Sequence, residues 1–255
     1  MKKLNFIIKC GLALLLLSFY SCESWLNVTP SDRLSEEMLF NDREGFVKAL
    51  NGVYIELNTN ELYGRNLTAG ALDVMGQYYS VASSSHAFYN YGGLVYTGND
   101  EKALFDNMWQ KCYAVIACCN TIIEKCDENK AGLSPVWKGA IKGEALALRA
   151  MLHFDMLRLF GPLTSELDKE SIPYQTNSDQ TVTPLLSGSE VVGLILDDLK
   201  NAVGLLKDTD PYFVEEEFSD TDLNYRRFRM NYFAAKGLMA RVQLWGGDKE
   251  KAAAT

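Results

Sequence analysis

Histidine is nearly absent, with His86 and His153 the only two in 255 residues. General bases and metal ligands are therefore scarce. The six cysteines contain no Cys-x-x-Cys pair, which a zinc site would want. There is no Gly-x-Ser-x-Gly, no His-Glu-x-x-His and no glycine-rich phosphate loop. Positive charge is in deficit too: 25 Lys and Arg against 33 Asp and Glu give a net charge of −8. That balance excludes nucleic acid as the expected partner, because phosphate binding needs clustered cations. Only one long apolar run exists, Phe6 to Tyr20, so a multi-pass membrane protein is excluded. A chain 47% hydrophobic and 23% charged still buries a sizeable core, which excludes disorder as a description of the whole.

The N-terminus reads as an address. Lys2, Lys3 and Lys9 precede Gly11-Leu12-Ala13-Leu14-Leu15-Leu16-Leu17, an h-region too short for a membrane span. Phe19-Tyr20-Ser21-Cys22 follows, a small residue directly before cysteine, which resembles a bacterial lipobox. Residues 1–21 are read as a lipoprotein signal peptide, Cys22 as the lipidated first residue, and 22–34 as a tether containing Pro30. Losing three lysines with the leader takes the net charge to −11, which suits a soluble body hung from a membrane by its lipid.

Helical periodicity dominates what remains. Phe46, Leu50, Val53 and Leu57 predict a helix over 35–57. Trp109, Cys112, Ile116, Cys119, Ile123 and Cys126 predict a long one from Asp100. Cys112, Cys119 and Cys126 share its face and read as buried thiols. A third runs from Pro135 to Gly161-Pro162 and is apolar over much of its girth, as a central helix must be. Trp109, Trp137 and Trp245 sit on such stripes and read as core, and His153 as a structural histidine. Residues 164–186 read as loop. Ser187 and Glu190 make a capping box before the stripe Val191, Ile195, Leu199, Ala202 and Leu206. The acidic run 207–222 reads as a solvated loop. Another helix covers Met230 to Trp245, and a further one begins at Asp248. The fold class is all-α: tetratricopeptide-like helix pairs with long irregular loops.

Several stretches together resemble one family, the SusD/RagB outer-membrane lipoproteins of Bacteroidetes. They are Cys22 with Trp25-Leu26-Asn27-Val28-Thr29-Pro30; Trp109, Tyr113, Ile116, Asn120 and Ile123; Gly143-Glu144-Ala145 with Leu148-Arg149-Ala150, through Phe160-Gly161-Pro162-Leu163; Ile195, Asp197-Asp198-Leu199 and Ala202; and Ala234 to Val242 with Gly247-Asp248. The resemblance implies a SusD-like fold over 35–255. It also implies a cell-surface glycan-binding lipoprotein of the outer membrane that is not an enzyme and needs no cofactor or metal. It would deliver oligosaccharide to a SusC-like TonB-dependent transporter. Family members run well past residue 255, so 35–255 corresponds to the N-terminal portion. A short, fraying end and an exposed apolar patch near Leu244 and Trp245 are therefore expected. The alternatives are a tetratricopeptide-like adaptor for peptide or protein partners, or capture of peptide or another nutrient by the same transporter complex.

Sugar binding needs flat apolar faces for C–H surfaces and polar groups for hydroxyls. The irregular stretch from Asp73 to Asp100 has that composition. Within it Tyr78, Tyr79, Tyr89 and Tyr91 are the candidates for stacking, with Asn90 and Gln77 for hydroxyls. Asp73 and Asp100 are the carboxylates flanking the stretch, and would be the pair to consider for hydrolysis.

Cys22 is expected to carry lipid, checked by mass spectrometry of the mature N-terminus. Cys22→Ala should release the protein from the membrane fraction; an unmodified Cys22 would refute the lipoprotein reading.

Overall fold

The computed structural model describes residues 36–179, 181–214, 218–219 and 225–255. The leader, the tether with Cys22, and most of the acidic run after Val214 lie outside them. Residues 1–39 and 40–255 form separate compact units, and the described part of the first is the single turn α1 (Glu36–Leu39). Where the apolar spacing predicts one helix over 35–57, there are two. Asp42 caps a new start by accepting the Gly45 N–H at 2.8 Å, and α2 runs Arg43–Leu57.

Two short helices, α3 (Ala71–Met75) and α4 (Tyr89–Gly92), interrupt the irregular stretch. The long helix α5 spans Asn99–Glu128 and ends at Asn129 in the left-handed conformation (φ 47°). Asn129 then accepts the Leu133 N–H at 2.7 Å and shapes the turn into α6 (Pro135–Phe160). Ser134 caps α6 and Pro135 opens it, where a missing N–H costs nothing.

α6 is the central helix that its girth of apolar residues predicts. It is buried on nearly all sides, with α5 on one flank, α7 (Gly188–Thr209) on another and α2 also in contact. Its approach to α7 depends on glycine. A Cβ on Gly139 would stand 2.5 Å from Thr209 Cγ2, and one on Gly143 2.8 Å from Leu206 Cγ. α7 begins with the predicted capping box and buries Val191, Ile195, Leu199, Ala202 and Leu206. α8 (Tyr232–Trp245) packs on α7, and α9 (Lys249–Ala254) follows with Asp248 as its cap. Leu244 is 57% exposed, as expected, whereas the Trp245 ring meets Phe154 edge-on at 5.6 Å.

Two segments depart from the sequence reading. Residues 164–186 are not all loop: β1 (Glu170–Pro173) and β2 (Leu185–Ser187) pair antiparallel, Glu170 opposite Ser187 and Pro173 opposite Leu185. The second departure is Asp210, which is buried rather than solvated. Arg226 grips it, Nε donating to Oδ1 at 3.1 Å and Nη2 to Oδ2 at 2.6 Å. Arg226 also donates to Glu144 of α6. Glu144 accepts from Arg229 Nε at 2.8 Å and from the Tyr54 hydroxyl, so segment 226–230 is fastened between α2 and α6.

A second buried network holds the chain after β1. Arg149 of α6 makes a two-pronged pair with Asp198 of α7, both bonds 2.7 Å, and reaches Asn120 of α5 at 2.8 Å. Tyr174 donates to Asp198 at 2.6 Å, and Asn120 donates to the Asn177 carbonyl at 2.8 Å. His153 lies 3.0 Å from the Arg149 carbonyl through Nδ1 and accepts the Gln175 N–H at Nε2, also at 3.0 Å. The accepting nitrogen must lack a proton, which fixes the neutral ring with its hydrogen on Nδ1. Burial, with the Arg149 charge assisting, lowers its pKa to about 3.

That depression gives a pH dependence. Between the unfolded value near 6.5 and about 3, the unfolded chain holds the proton and the folded one does not. Stability should therefore fall on acidification by about 1.4 kcal/mol per pH unit across that window. Denaturant melts from pH 7 to 4 are the check. His153→Gln should remove the slope contributed by this residue, since glutamine accepts the Gln175 N–H without titrating.

Candidate functional site

The candidate site is built where the chain leaves α3. Gly76 and Gln77 close the helix, and Gln77 takes the left-handed conformation (φ 61°), turning the backbone outward. Tyr78 and Tyr79 follow at once and are 80% and 53% exposed. On the opposite side, α4 presents Tyr89, 42% exposed. Between them lies a cleft of about 380 Å3, lined by Gln77, Tyr79, Ser80, Val81, Tyr89, Asn90, Gly92, Gly93 and Val95. The structure thus brings Gln77, Tyr79, Tyr89 and Asn90 of the sequence candidates into one concavity, with Tyr78 next in the chain.

Tyr91 does not join them. It is 2% exposed and packs with Ala71 and Val74, its ring edge-on to Phe88 at 5.8 Å and to Phe105 at 6.0 Å. A ring enclosed in this way has no free face for a ligand. The single turn of α4 separates Tyr89 from Tyr91 and sends one outward and one inward. Burial, with Glu101 and Asp100 nearby, pushes the Tyr91 hydroxyl up to about 12. Tyr91 is therefore a core residue that anchors α4 against Ala71 and Val74, and it does not line the cleft.

Gln77 and Asn90 also do more than line the cleft. The Gln77 amide donates to the Gly92 carbonyl at 3.0 Å, a strut joining the two walls. The Asn90 amide donates to Glu101 Oε1 at 2.7 Å, tying α4 to the first turn of α5. Glu101 is itself buried, and its Oε2 would lie 2.0 Å from a Cβ on Gly98. That position therefore calls for glycine. Ser80 is one of the polar residues interleaved with the aromatics of this stretch; Val81, Val95 and the Gly92-Gly93 pair were missed as lining residues. Their only sequence signal is proximity to the tyrosines.

Trp137, read as core, is buried but also lines a second cleft of about 320 Å3 between α2, α6 and Pro211, Phe218, Tyr225, Arg226 and Arg229. Arg43 lies 4.8 Å from its ring centroid and Phe218 4.5 Å, so that ring is engaged within the protein. Cys112, Cys119 and Cys126 are buried along α5, and burial raises all three thiols. Among the described residues, no group of three or more His, Cys, Asp or Glu could hold a metal ion, and no helix is long and apolar enough to cross a membrane.

A family model described as starch-binding and associating with the outer membrane, SusD-like, matches residues 24–244. The chain belongs to the SusD-like family. SusD-like protein P2 of Formosa agariphila is 25% identical over 258 residues, covering 98% of this chain and 44% of its own length. The chain thus spans less than half of that relative. Among solved structures, a SusD-like carbohydrate-binding protein from Bacteroides vulgatus superposes with a TM-score of 0.66 at 24% identity, covering 84% of this chain and 44% of that one. A laminarin-binding SusD-like protein gives 0.61 at 17% identity, over 84% and 42%. These likenesses establish the fold, the tetratricopeptide-like helix pairs of the SusD-like family.

Tyr91→Ala should lower stability by about 3–5 kcal/mol, the usual cost of emptying a buried aromatic site. Tyr78→Ala should leave stability within about 0.5 kcal/mol. Urea melts of the two variants check this, and equal effects would contradict the division into a buried and an exposed ring.

Proposed function

We propose that the protein is a cell-surface lipoprotein that captures oligosaccharide in the cleft between Tyr79 and Tyr89. It would then pass the sugar to a SusC-like TonB-dependent outer-membrane transporter, with lipid on Cys22 as the membrane anchor. The observation that carries this reading is the pairing of exposed tyrosine rings with amide, hydroxyl and backbone groups around one concavity. Sugar rings present alternating C–H faces and hydroxyl edges, and that lining matches both. Family membership supports a carbohydrate ligand, and the laminarin-binding and carbohydrate-binding relatives on the same fold support it further.

The proposed role is binding and not catalysis. Glycoside hydrolysis requires two carboxyl groups flanking the bond, and the cleft lining contains none. Glu101, the carboxylate bonded to the lining residue Asn90, is buried.

Affinity electrophoresis and titration calorimetry against a panel of polysaccharides test the reading. Tyr79→Ala and Tyr89→Ala should each weaken glycan binding about tenfold, the equivalent of about 1–2 kcal/mol for a lost stacking ring, with melting behaviour unchanged. Unaltered affinity in the folded double variant would remove the cleft from consideration. Co-purification of a barrel partner tests the transporter half of the proposal.

A further inference from the structure

We infer that the cleft selects uncharged glycans and turns away those bearing carboxylate or sulfate groups; this rests on the glycan reading above. None of the described lining residues carries a carboxylate, ammonium, guanidinium or imidazole group. The two amides sharpen the point. Gln77 donates its NH2 group to the Gly92 carbonyl, and Asn90 donates its own to the Glu101 carboxylate. Both partners only accept, so the orientation of each amide is settled by chemistry. The second Gln77 N–H points to the Val74 carbonyl at 3.4 Å, so Gln77 offers a ligand its carbonyl oxygen, an acceptor, while Asn90 offers its carbonyl oxygen and one remaining N–H.

A sugar hydroxyl can donate to such an oxygen. A carboxylate or sulfate has no proton to give and meets it as repulsion. The charge behind the wall has the same sign: Glu101 is bonded directly to Asn90, and Asp100 precedes it on the first turn of α5. No cationic side chain is among the described lining residues. Arg65 places its guanidinium 5.7 Å from the Phe88 ring centroid and donates through Nε to Asn66, and neither it nor Lys102 lines the cleft. An anionic sugar entering here would shed its hydration without gaining a counter-charge, and that cost is not recovered.

The experiment compares matched ligands. Neutral polysaccharides (a β-1,3-glucan, starch, a galactan) are measured beside polygalacturonate, alginate and a sulfated galactan at low salt. The neutral glycan that binds best is then oxidised at C6, which exchanges each primary hydroxyl for a carboxylate on the same backbone. The oxidised form should bind at least about tenfold more weakly, with the gap narrowing in 0.5 M NaCl as the repulsion is screened. Equal or tighter binding of the oxidised glycan, or binding of a polyanion abolished by Tyr79→Ala and Tyr89→Ala, overturns the inference while leaving the glycan reading intact. Binding of neither class overturns both.

Discussion

Arg149 sits in the middle of α6 with its guanidinium 6% exposed, and a charge in that position must be matched group by group. Asp198 supplies the two-pronged partner from α7, Asn120 adds an acceptor from α5, and the Thr176 carbonyl closes the set at 3.3 Å. Removing one member of such a set costs about 3–5 kcal/mol, because the others remain buried without it. The consequence is geometric as well as energetic. Three helices can rotate against one another across an apolar seam at modest cost, but not across a network in which each donor has one acceptor. Glu144, earlier on the same helix, plays the opposite charge in the same way: it collects Arg226, Arg229 and Tyr54 and thereby fixes segment 226–230 and α2. α6 thus carries a buried arginine and a buried glutamate that each hold an irregular segment in place, 174–177 through the Arg149 network and 226–230 through Glu144.

The parts of this arrangement visible in the sequence are those encoded by periodicity. The stripe from Trp109 to Cys126, the capping box at Ser187 and the double-sided apolar character of residues 135–160 each gave an element within a residue or two. β1 and β2 escaped because three or four residues carry no alternation worth reading, and one of them begins with a charge. Asp210 was misplaced for a different reason. In sequence it stands in an acidic run, whose usual meaning is solvation, and its partner Arg226 lies sixteen residues on. Pairing at that range is a property of the tertiary structure. The same limit applies in the cleft. Tyr89-Asn90-Tyr91-Gly92-Gly93 offers two tyrosines in nearly equivalent surroundings, and only the packing of Tyr91 against Ala71 and Val74 decides which ring faces solvent.

The packing of Tyr91 is continuous with the Arg149 network. Rings in contact run from Tyr91 to Phe105, Phe160, Trp109, Tyr113, His153 and Tyr174, the last of which donates to Asp198. Most are carried by α5 and α6, whose relative rotation the network has already fixed. In the proposed glycan site, the outward rings of Tyr78, Tyr79 and Tyr89 are side chains that a ligand would have to order. Ordering a side chain costs about 0.5–1.5 kcal/mol, comparable to what one stacked ring returns. Weak sugar contacts can sum to useful affinity only if few groups must be ordered to make them. In the proposed glycan site the Gln77 strut to Gly92 and the Asn90 tie to Glu101 would reduce that number further, because both amides are already hydrogen-bonded within the protein.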